Sequence, residues 1–288
     1  MKKKIFRWVV NFLYYLPKEM AHKILYKMCL KQKLNLKKPK NFNEKIQWLI
    51  VNRYNKNYGD LADKYKVRDY IIKKGYEELL PKLYGVYNSF EEIDFSKLPE
   101  EYVLKPNNGC GSVYINTKEE KINFKEAKKN LNKVLKQNFA KKNLEYQYSY
   151  IQPKIICEEY LKDDKNKLPY DYKFFCFNGR VECVEFCSER NKKLRLDYYD
   201  KNWRYLDYSK EELRSGKIEE KPKNYEKMIE IASKLSLGFE FVRVDLYNIN
   251  GKIYFGELTF SPACGMLKSA KDEVLEYLGT LINIEELK

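Results

Sequence analysis

Eight strand-like segments with two amphipathic helices among them predict a mixed fold for this chain, α+β or α/β. The strands fall at 83–87, 102–105, 113–116, 153–159, 173–178, 181–187, 240–246 and 252–258, and the helices at 124–138 and 225–236. The 288 residues are 44% hydrophobic and 15% aromatic, which is enough for a full core in one or two domains. The sequence has no internal repeat.

From the N-terminus, Lys2, Lys3 and Lys4 precede an amphiphilic run from Ile5 to Leu16 that Pro17 closes. No small-residue cleavage site follows, so the run does not read as a signal peptide. Either it is an interfacial anchor, with Trp8, Phe12 and Tyr15 at the headgroup boundary and lysines on lipid phosphates, or it packs on its own domain. Residues 18–30 read as a helix with Met20, Ala21, Ile24, Leu25 and Met28 on one side and Lys18, Lys23 and Lys27 on the other. Residues 31–40, with five lysines and a proline, read as a linker. Asn41 with Glu44 marks a helix start that would bury Trp48 and Leu49.

A further helix is expected from Asp60 to Lys74, stopped by Gly75, with Leu61, Tyr65 and Ile72 on its apolar side. Asp63, Lys64 and Arg68 would form an ion-pair network on its surface. Residues 163–167 and 209–222 are charged loops, either lids or plain surface.

Composition excludes much chemistry. The only histidine, His22, lies in the basic N-terminal helical region and reads as a surface residue. Histidine-dependent triads, dyads, zinc sites and deaminase sites are therefore ruled out. Chemistry must run on carboxylates, Lys, Arg, backbone amides and a divalent cation. The seven cysteines lack a Cys-x-x-Cys pair, which favours reduced thiols in a cytosolic protein. No run of 18 apolar residues exists to span a membrane. A net charge of +15, from 56 Lys and Arg against 41 Asp and Glu, favours an anionic partner: nucleic acid, an anionic membrane surface, nucleotide or acidic sugar. The bland reading of that charge is a solvated lysine-rich surface.

Two segments carry the site. In Val103-Leu104-Lys105-Pro106-Asn107-Asn108-Gly109-Cys110-Gly111-Ser112 a lysine ends a strand and enters a glycine loop, where backbone amides can approach phosphate without a Cβ in the way. The lysine comes first, so this is no P-loop, and Asn-Asn-Gly is also an ordinary hairpin turn. The second segment places Asp245 and Glu257 on strands flanking Asn250-Gly251. Paired carboxylates suit a hard divalent cation, and charges in such apolar strands need a partner.

Register decides whether they can share an ion. A two-residue turn pairs Asp245 with Gly256 and turns Glu257 away; a three-residue loop of 250–252 pairs Asp245 with Glu257. A shared ion therefore predicts an odd-numbered loop. Arg243 lies two residues before Asp245 on the same face, either to stabilise charge on a phosphoryl group or oxyanion or as a structural ion pair. Ile155 to Leu161 is an apolar strand ending in two acids. It could offer backbone to adenine and carboxylate to ribose, or simply leave the core.

These residues in order resemble the ATP-grasp superfamily of carboxylate–amine ligases. The set is Lys105 with its loop, Glu158-Glu159-Tyr160, Asp171-Tyr172-Lys173 before a hairpin at Asn178-Gly179, Arg243-x-Asp245, and Glu257-x-Thr259 followed by Pro262. The Arg-x-Asp and Glu-x-Thr ending looks most like the D-alanine ligase branch. More closely, Asn43-Glu44-Lys45-Ile46-Gln47-Trp48-Leu49, Asp63-Lys64-Tyr65-x-Val67-Arg68, Tyr172 to Gly179 and Gly256 to Phe260 resemble the TupA-like ATP-grasp family. The resemblance covers roughly residues 35–285. It departs from the superfamily at Thr259, where asparagine commonly completes a metal shell.

The resemblance implies an α+β, ATP-grasp fold, two subdomains gripping ATP between antiparallel sheets. It would comprise a basic helical extension over 1–40 and an ATP-grasp domain over 41–288, with subdomains at roughly 80–165 and 166–285. It implies ATP and Mg²⁺ as cofactors and an amide formed through an acyl phosphate. Lys105 and Lys173 would meet ATP phosphates, with Asn108, Gly109, Gly111 and Ser112 of the loop on the same nucleotide. Glu158, Glu159, Tyr160 and Leu161 would hold the nucleoside. Asp245, Glu257 and Thr259 would bind metal, and Arg243, with Lys173, would be catalytic. Arg190 would meet the acidic substrate.

Members of the family occur in bacterial capsule and teichuronopeptide gene clusters. The implied substrates are thus a uronic acid or acidic glycan and an amine or amino acid, in the cytoplasm at the inner face of the plasma membrane. The alternatives are a glycosyltransferase of the same polysaccharide pathway and a basic nucleic-acid-binding protein. The last has charge and 26 tyrosines behind it but no recognised motif.

Overall fold

The computed structural model describes residues 2–109, 111–163, 168–188 and 194–285. Five helices come first: α1 (Lys2–Leu13), α2 (Lys18–Leu30), α3 (Phe42–Asn52), α4 (Lys56–Ala62) and α5 (Val67–Lys73). The first sheet follows, with β1 (Leu83–Tyr87), β2 (Tyr102–Pro106) and β3 (Tyr114–Asn116), then helices α6 (Phe124–Leu135) and α7 (Ala140–Asn143), then β4 (Ile155–Glu158). The rest is β5 (Asp171–Phe177), β6 (Arg180–Ser188), β7 (Arg195–Tyr199), β8 (Tyr205–Leu206), α8 (Tyr225–Ser236), β9 (Val242–Ile249), β10 (Lys252–Thr259) and α9 (Asp272–Thr280).

The strands form two sheets, ordered β1-β4-β2-β3 and β10-β9-β5-β6-β7-β8. Every strand pairing among the described residues is antiparallel, which makes the fold α+β and not α/β. In β2 the period of two sends Tyr102 and Leu104 into a small core with Ala127 and Leu131 of α6. Val103 and Lys105 therefore face the other way. In the larger sheet, Phe174, Val244 and Leu246 are buried in the main core with Met228, Ile231 and Leu235 of α8, each such side chain contributing about 1.5–3 kcal/mol. Asp171, Lys173, Arg243, Asp245, Glu257 and Thr259 are left for the opposite face. Phe42 of α3 packs on Phe175 at 6.1 Å and covers one end of that face.

The N-terminal region departs from expectation in several places. Asn41 does cap α3, its Oδ1 accepting from the Glu44 amide at 3.0 Å, and Trp48 and Leu49 are buried. In α2, however, the buried face is Ala21, His22, Leu25 and Tyr26, while Met20 and Ile24 are exposed. The stretch 31–40 is tied down by buried Leu34 and Leu36. His22 is a core residue and not a surface one. It is 1% exposed, with Nδ1 2.5 Å from Gln47 Oε1 and Nε2 3.1 Å from the Leu144 carbonyl, and burial pushes its pKa down.

The helix expected over 60–74 is two helices, α4 and α5, broken at 63–66. Asp63 makes the break: its Oδ1 accepts from the amides of Tyr65 and Lys66, a local turn that competes with helix continuation. The apolar face of α5 is consequently Val67 and Ile71, and Tyr65 and Ile72 are exposed. None of the six described cysteines is in a disulfide, and no helix among the described residues is long and apolar enough to cross a membrane.

Candidate active site

A row of polar side chains crosses the larger sheet. Glu257 on β10 lies opposite Asp245 on β9, Asp245 opposite Lys173 on β5, Lys173 opposite Glu185 on β6, and Glu185 opposite Tyr198 on β7. Directly opposed residues share a face, so two carboxylates, an ammonium, a carboxylate and a phenol stand side by side.

Asp245 and Glu257 pair as a shared ion would require, but not through an odd loop. The turn is the two-residue Asn250-Gly251, both at positive φ (53° and 95°), with Ile249 opposite Lys252. Regular counting from there would put Asp245 opposite Gly256. A β-bulge between Phe255 and Glu257 absorbs one residue and shifts the register. Gly256 is the extra residue, and a Cβ there would sit 2.9 Å from the Asp245 carbonyl oxygen.

Arg243 organises the carboxylates. Its Nε and Nη2 donate to Asp245 Oδ1 and Oδ2, both at 2.7 Å, and Nη2 also donates to Thr259 Oγ1 at 3.2 Å and lies 3.6 Å from Glu257 Oε1. Thr259 donates to Glu257 Oε1 at 2.9 Å. Lys64 Nζ sits 3.3 Å from Glu257 Oε2 and donates to the Gly109 carbonyl at 2.9 Å, so one side chain bridges the glycine loop and the larger sheet.

The two adjacent carboxyls diverge. Burial pushes Asp245 up despite Arg243. Burial acts the same way on Glu257, but Lys64 and Arg243 outweigh it and hold Glu257 down to about 2. Lys173 stays charged: burial and Arg243 lower its pKa, yet Cys187, Asp245 and Glu185 together raise it above the ordinary value.

The smaller sheet supplies the facing wall. Lys105 Nζ lies 2.5 Å from Glu158 Oε2, and Arg68 Nη1 lies 3.6 Å from Glu158 Oε1. The Glu158 carboxylate is thus spent on two cations, while Glu159, Tyr160 and Leu161 continue along the wall. Asn107 fixes the glycine loop, donating through Nδ2 to Asp63 Oδ1 at 2.9 Å and to the Gln152 carbonyl at 3.0 Å. Gly109 (φ 79°) admits the Phe139 ring where a side chain would lie. A cleft of about 480 Å³ lies open between the walls, lined by Lys64, Arg68, Lys105, Gly109, Gly111, Glu158, Glu159, Tyr160, Leu161, Asp171, Lys173, Arg243, Asp245 and Glu257.

Among the residues expected at the site, Asn108 is buried in the loop, and neither it nor Ser112 lines the cavity; Thr259 touches it only through Glu257 and Arg243. Arg190 lies outside the described residues. Asp63, Lys64 and Arg68 are not a surface network. Asp63 is 1% exposed, and Lys64 and Arg68 line the cavity. Asp63 two residues before Tyr65 and four before Val67 is a capping signal that could have exposed the helix break and so placed Lys64 at the site.

No group of three or more His, Cys, Asp or Glu among the described residues could hold a metal ion. The opposed Asp245 and Glu257 still fit Mg²⁺, which takes one or two carboxylates and completes its octahedron with water and substrate phosphate. Each of their oxygens keeps a lone pair beyond the one offered to Arg243, Lys64 or Thr259.

A sequence model of the TupA-like ATPgrasp family matches residues 44–283. The chain belongs to that family. No curated protein matches the sequence. Among solved structures, this TupA-like ATP-grasp protein is similar to the D-alanine–D-alanine ligase from Bacillus anthracis complexed with ATP, at 16% identity and TM-score 0.46, over 79% of this chain and 66% of that one. It is also similar to the ATP-grasp ligase PsnB complexed with a minimal precursor (14%, TM-score 0.40, 82% and 63%) and to the D-cycloserine synthetase DcsG (14%, TM-score 0.41, 80% and 71%). The chain spans just under two thirds of the first two.

Proposed function

We propose that this protein is an ATP- and Mg²⁺-dependent carboxylate–amine ligase. The observation that carries the reading is the row Glu257, Asp245 and Lys173 beside Arg243, facing Lys105 and the glycine loop across one cavity. Residues of roughly 80–165 and 166–285 would act as the two gripping subdomains. Lys105, Lys173 and Lys64 offer point charges to the phosphates, and the Glu158 to Leu161 strand end takes the nucleoside. Asp245 and Glu257 would hold Mg²⁺, which when bound offsets the charge of the phosphates.

In the proposed reaction a substrate carboxylate oxygen attacks the γ-phosphorus and ADP leaves. The amine nitrogen then attacks the acyl carbon, phosphate departs, and the amine loses a proton. Arg243, held rigid by Asp245, stabilises the negative charge that develops on the phosphoryl group or oxyanion. Positioning and charge stabilisation suffice for phosphoryl transfer, so histidine is not needed.

The acid is read as a uronic acid or acidic glycan of a bacterial surface polysaccharide, and the amine as an amino acid. Family membership and the +15 charge support this choice. The test supplies ATP, Mg²⁺, a uronic-acid-containing glycan and an amino acid and follows ADP and phosphate. Hydroxylamine in place of the amine should trap the acyl phosphate as a hydroxamate. Consumption of UDP-sugars with ATP untouched would replace the ligase by a glycosyltransferase.

A further inference from the structure

The outer face of α1 carries an apolar stripe that the rest of the described residues leave uncovered. Ile5, Trp8 and Phe12 follow the spacing of one helix face, and Tyr15 continues it in the turn that closes the helix. They are 56%, 71%, 57% and 72% exposed. Packing on the domain uses a different face of the same helix, where Val10 and Leu13 are 1% and 3% exposed. Intramolecular packing therefore accounts for Val10 and Leu13 and not for the stripe.

What borders the stripe indicates its partner. At 3.6 residues per turn, exposed Lys4, Arg7 and Asn11 fall in one sector along its edge. Lys141 adds a cation at its C-terminal end, with Nζ 2.5 Å from the Tyr15 hydroxyl and 4.7 Å from the ring centroid. Trp8 and Phe12 stack with centroids 6.4 Å apart. Amphipathic rings in a cation-bordered stripe match the boundary between acyl chains and acidic headgroups.

We propose that α1 seats the protein on an anionic bilayer, with Trp8 and Phe12 at the acyl boundary and Lys4, Arg7 and Lys141 among the headgroup phosphates. This rests on α1 and its borders alone and holds or fails independently of the chemistry in the cavity.

The full-length protein is titrated with phosphatidylcholine vesicles with and without phosphatidylglycerol, read by co-sedimentation and tryptophan emission. Trp48 and Trp203 are each 8% exposed, so a blue shift on binding reports Trp8. Binding should be on the order of a hundredfold tighter on the anionic vesicles, at about fivefold for each of the three cations engaged. The double variant Trp8→Ser, Phe12→Ser should lose the blue shift and most of the binding. Lys4→Glu with Arg7→Glu should lose the anionic preference. All four side chains are exposed, so thermal unfolding checks that the fold is retained. Equal binding to both vesicles, or binding unchanged in the serine variant, overturns the proposal. So does a wild-type dimer in sedimentation equilibrium that the serine variant dissolves, since a second copy would then cover the stripe.

Discussion

Removing the Arg243 guanidinium strands a buried carboxylate. Asp245 is 6% exposed, and both of its oxygens accept from Arg243 at 2.7 Å. Breaking a buried pair by deleting one member costs about 3–5 kcal/mol, because the survivor stays desolvated without its counter-charge. Lys173 remains directly opposite Asp245, so the lower end applies and Arg243→Ala should cost about 3 kcal/mol. In an Asp245→Asn background the only carboxylate that still loses a partner is the partly exposed Glu257, which keeps Lys64, and the same substitution should cost only about 1 kcal/mol. The double-mutant cycle should then give a coupling of about 2 kcal/mol. Urea unfolding of the four proteins at neutral pH measures it, with m-values that stay constant across the set. Additive costs, with a coupling under about 0.5 kcal/mol, would refute the reasoning, since the pair would then behave as a solvent-screened one.

Other outcomes follow from the same geometry. Glu257 is held at about 2 in the fold against an ordinary 4.5, so its stabilisation is present above pH 4.5 and lost as pH falls towards 2. That difference is worth about 3 kcal/mol unscreened and on the order of 1 kcal/mol once screening of a side chain 38% exposed is allowed for. Glu257→Gln should flatten the acid limb of the stability–pH curve, and an unaltered limb counts against the pairing with Lys64 and Arg243. Burial raises the Asp245 pKa, so protons compete with a divalent cation there; Mg²⁺ affinity by calorimetry should climb with pH above the ordinary carboxylate range, and a flat profile would exclude Asp245 as a ligand. Lys105→Ala and Lys173→Ala should each weaken ATP binding, at some cost in stability because each leaves a buried glutamate short of a counter-charge, and unchanged calorimetric affinity in both folded variants would put any nucleotide elsewhere. Gly256→Val would press a Cβ against the Asp245 carbonyl oxygen at 2.9 Å, so it should destabilise by about 1–3 kcal/mol in urea unfolding. A neutral result would mean that the bulge does not hold the register.

Much of this was legible because the strands carry period-two patterns bounded by turn residues. The hairpin read at Asn178-Gly179 is a two-residue turn with positive φ at each position, whereas at Asn250-Gly251 a two-residue turn stands where a shared ion predicted an odd-numbered loop. Lys105 is expected at a strand end entering the glycine loop, and it does lie there, near the end of β2. The bulge at Gly256 was not legible, since a bulge is a one-residue choice made by packing across the sheet, and local sequence reports only that a glycine permits it. The break at Asp63 was overlooked because neither proline nor glycine marks it; its one local signal is the Asp63 capping side chain, which Asn107, 44 residues further along the chain, helps to hold in place. His22 was misread because its partners, Gln47 and the Leu144 carbonyl, come from distant segments.

The cations in the cavity already have internal counterions. Lys105 and Arg68 share Glu158, Lys64 holds Glu257, Arg243 holds Asp245, and Lys173 leans on Glu185 at 3.6 Å. On the proposed reading, entry of a nucleotide would therefore be an ion exchange and not the filling of a bare positive well. A lone phosphate or sulfate would have to evict carboxylates and leave them unbalanced inside the cleft. A nucleotide that arrived with its divalent cation would supply anions for the lysines and arginines and a cation for the carboxylates in the same event. Such a cleft discriminates by charge bookkeeping on both sides of the exchange, and its affinity should depend less steeply on salt than five cations facing solvent would suggest.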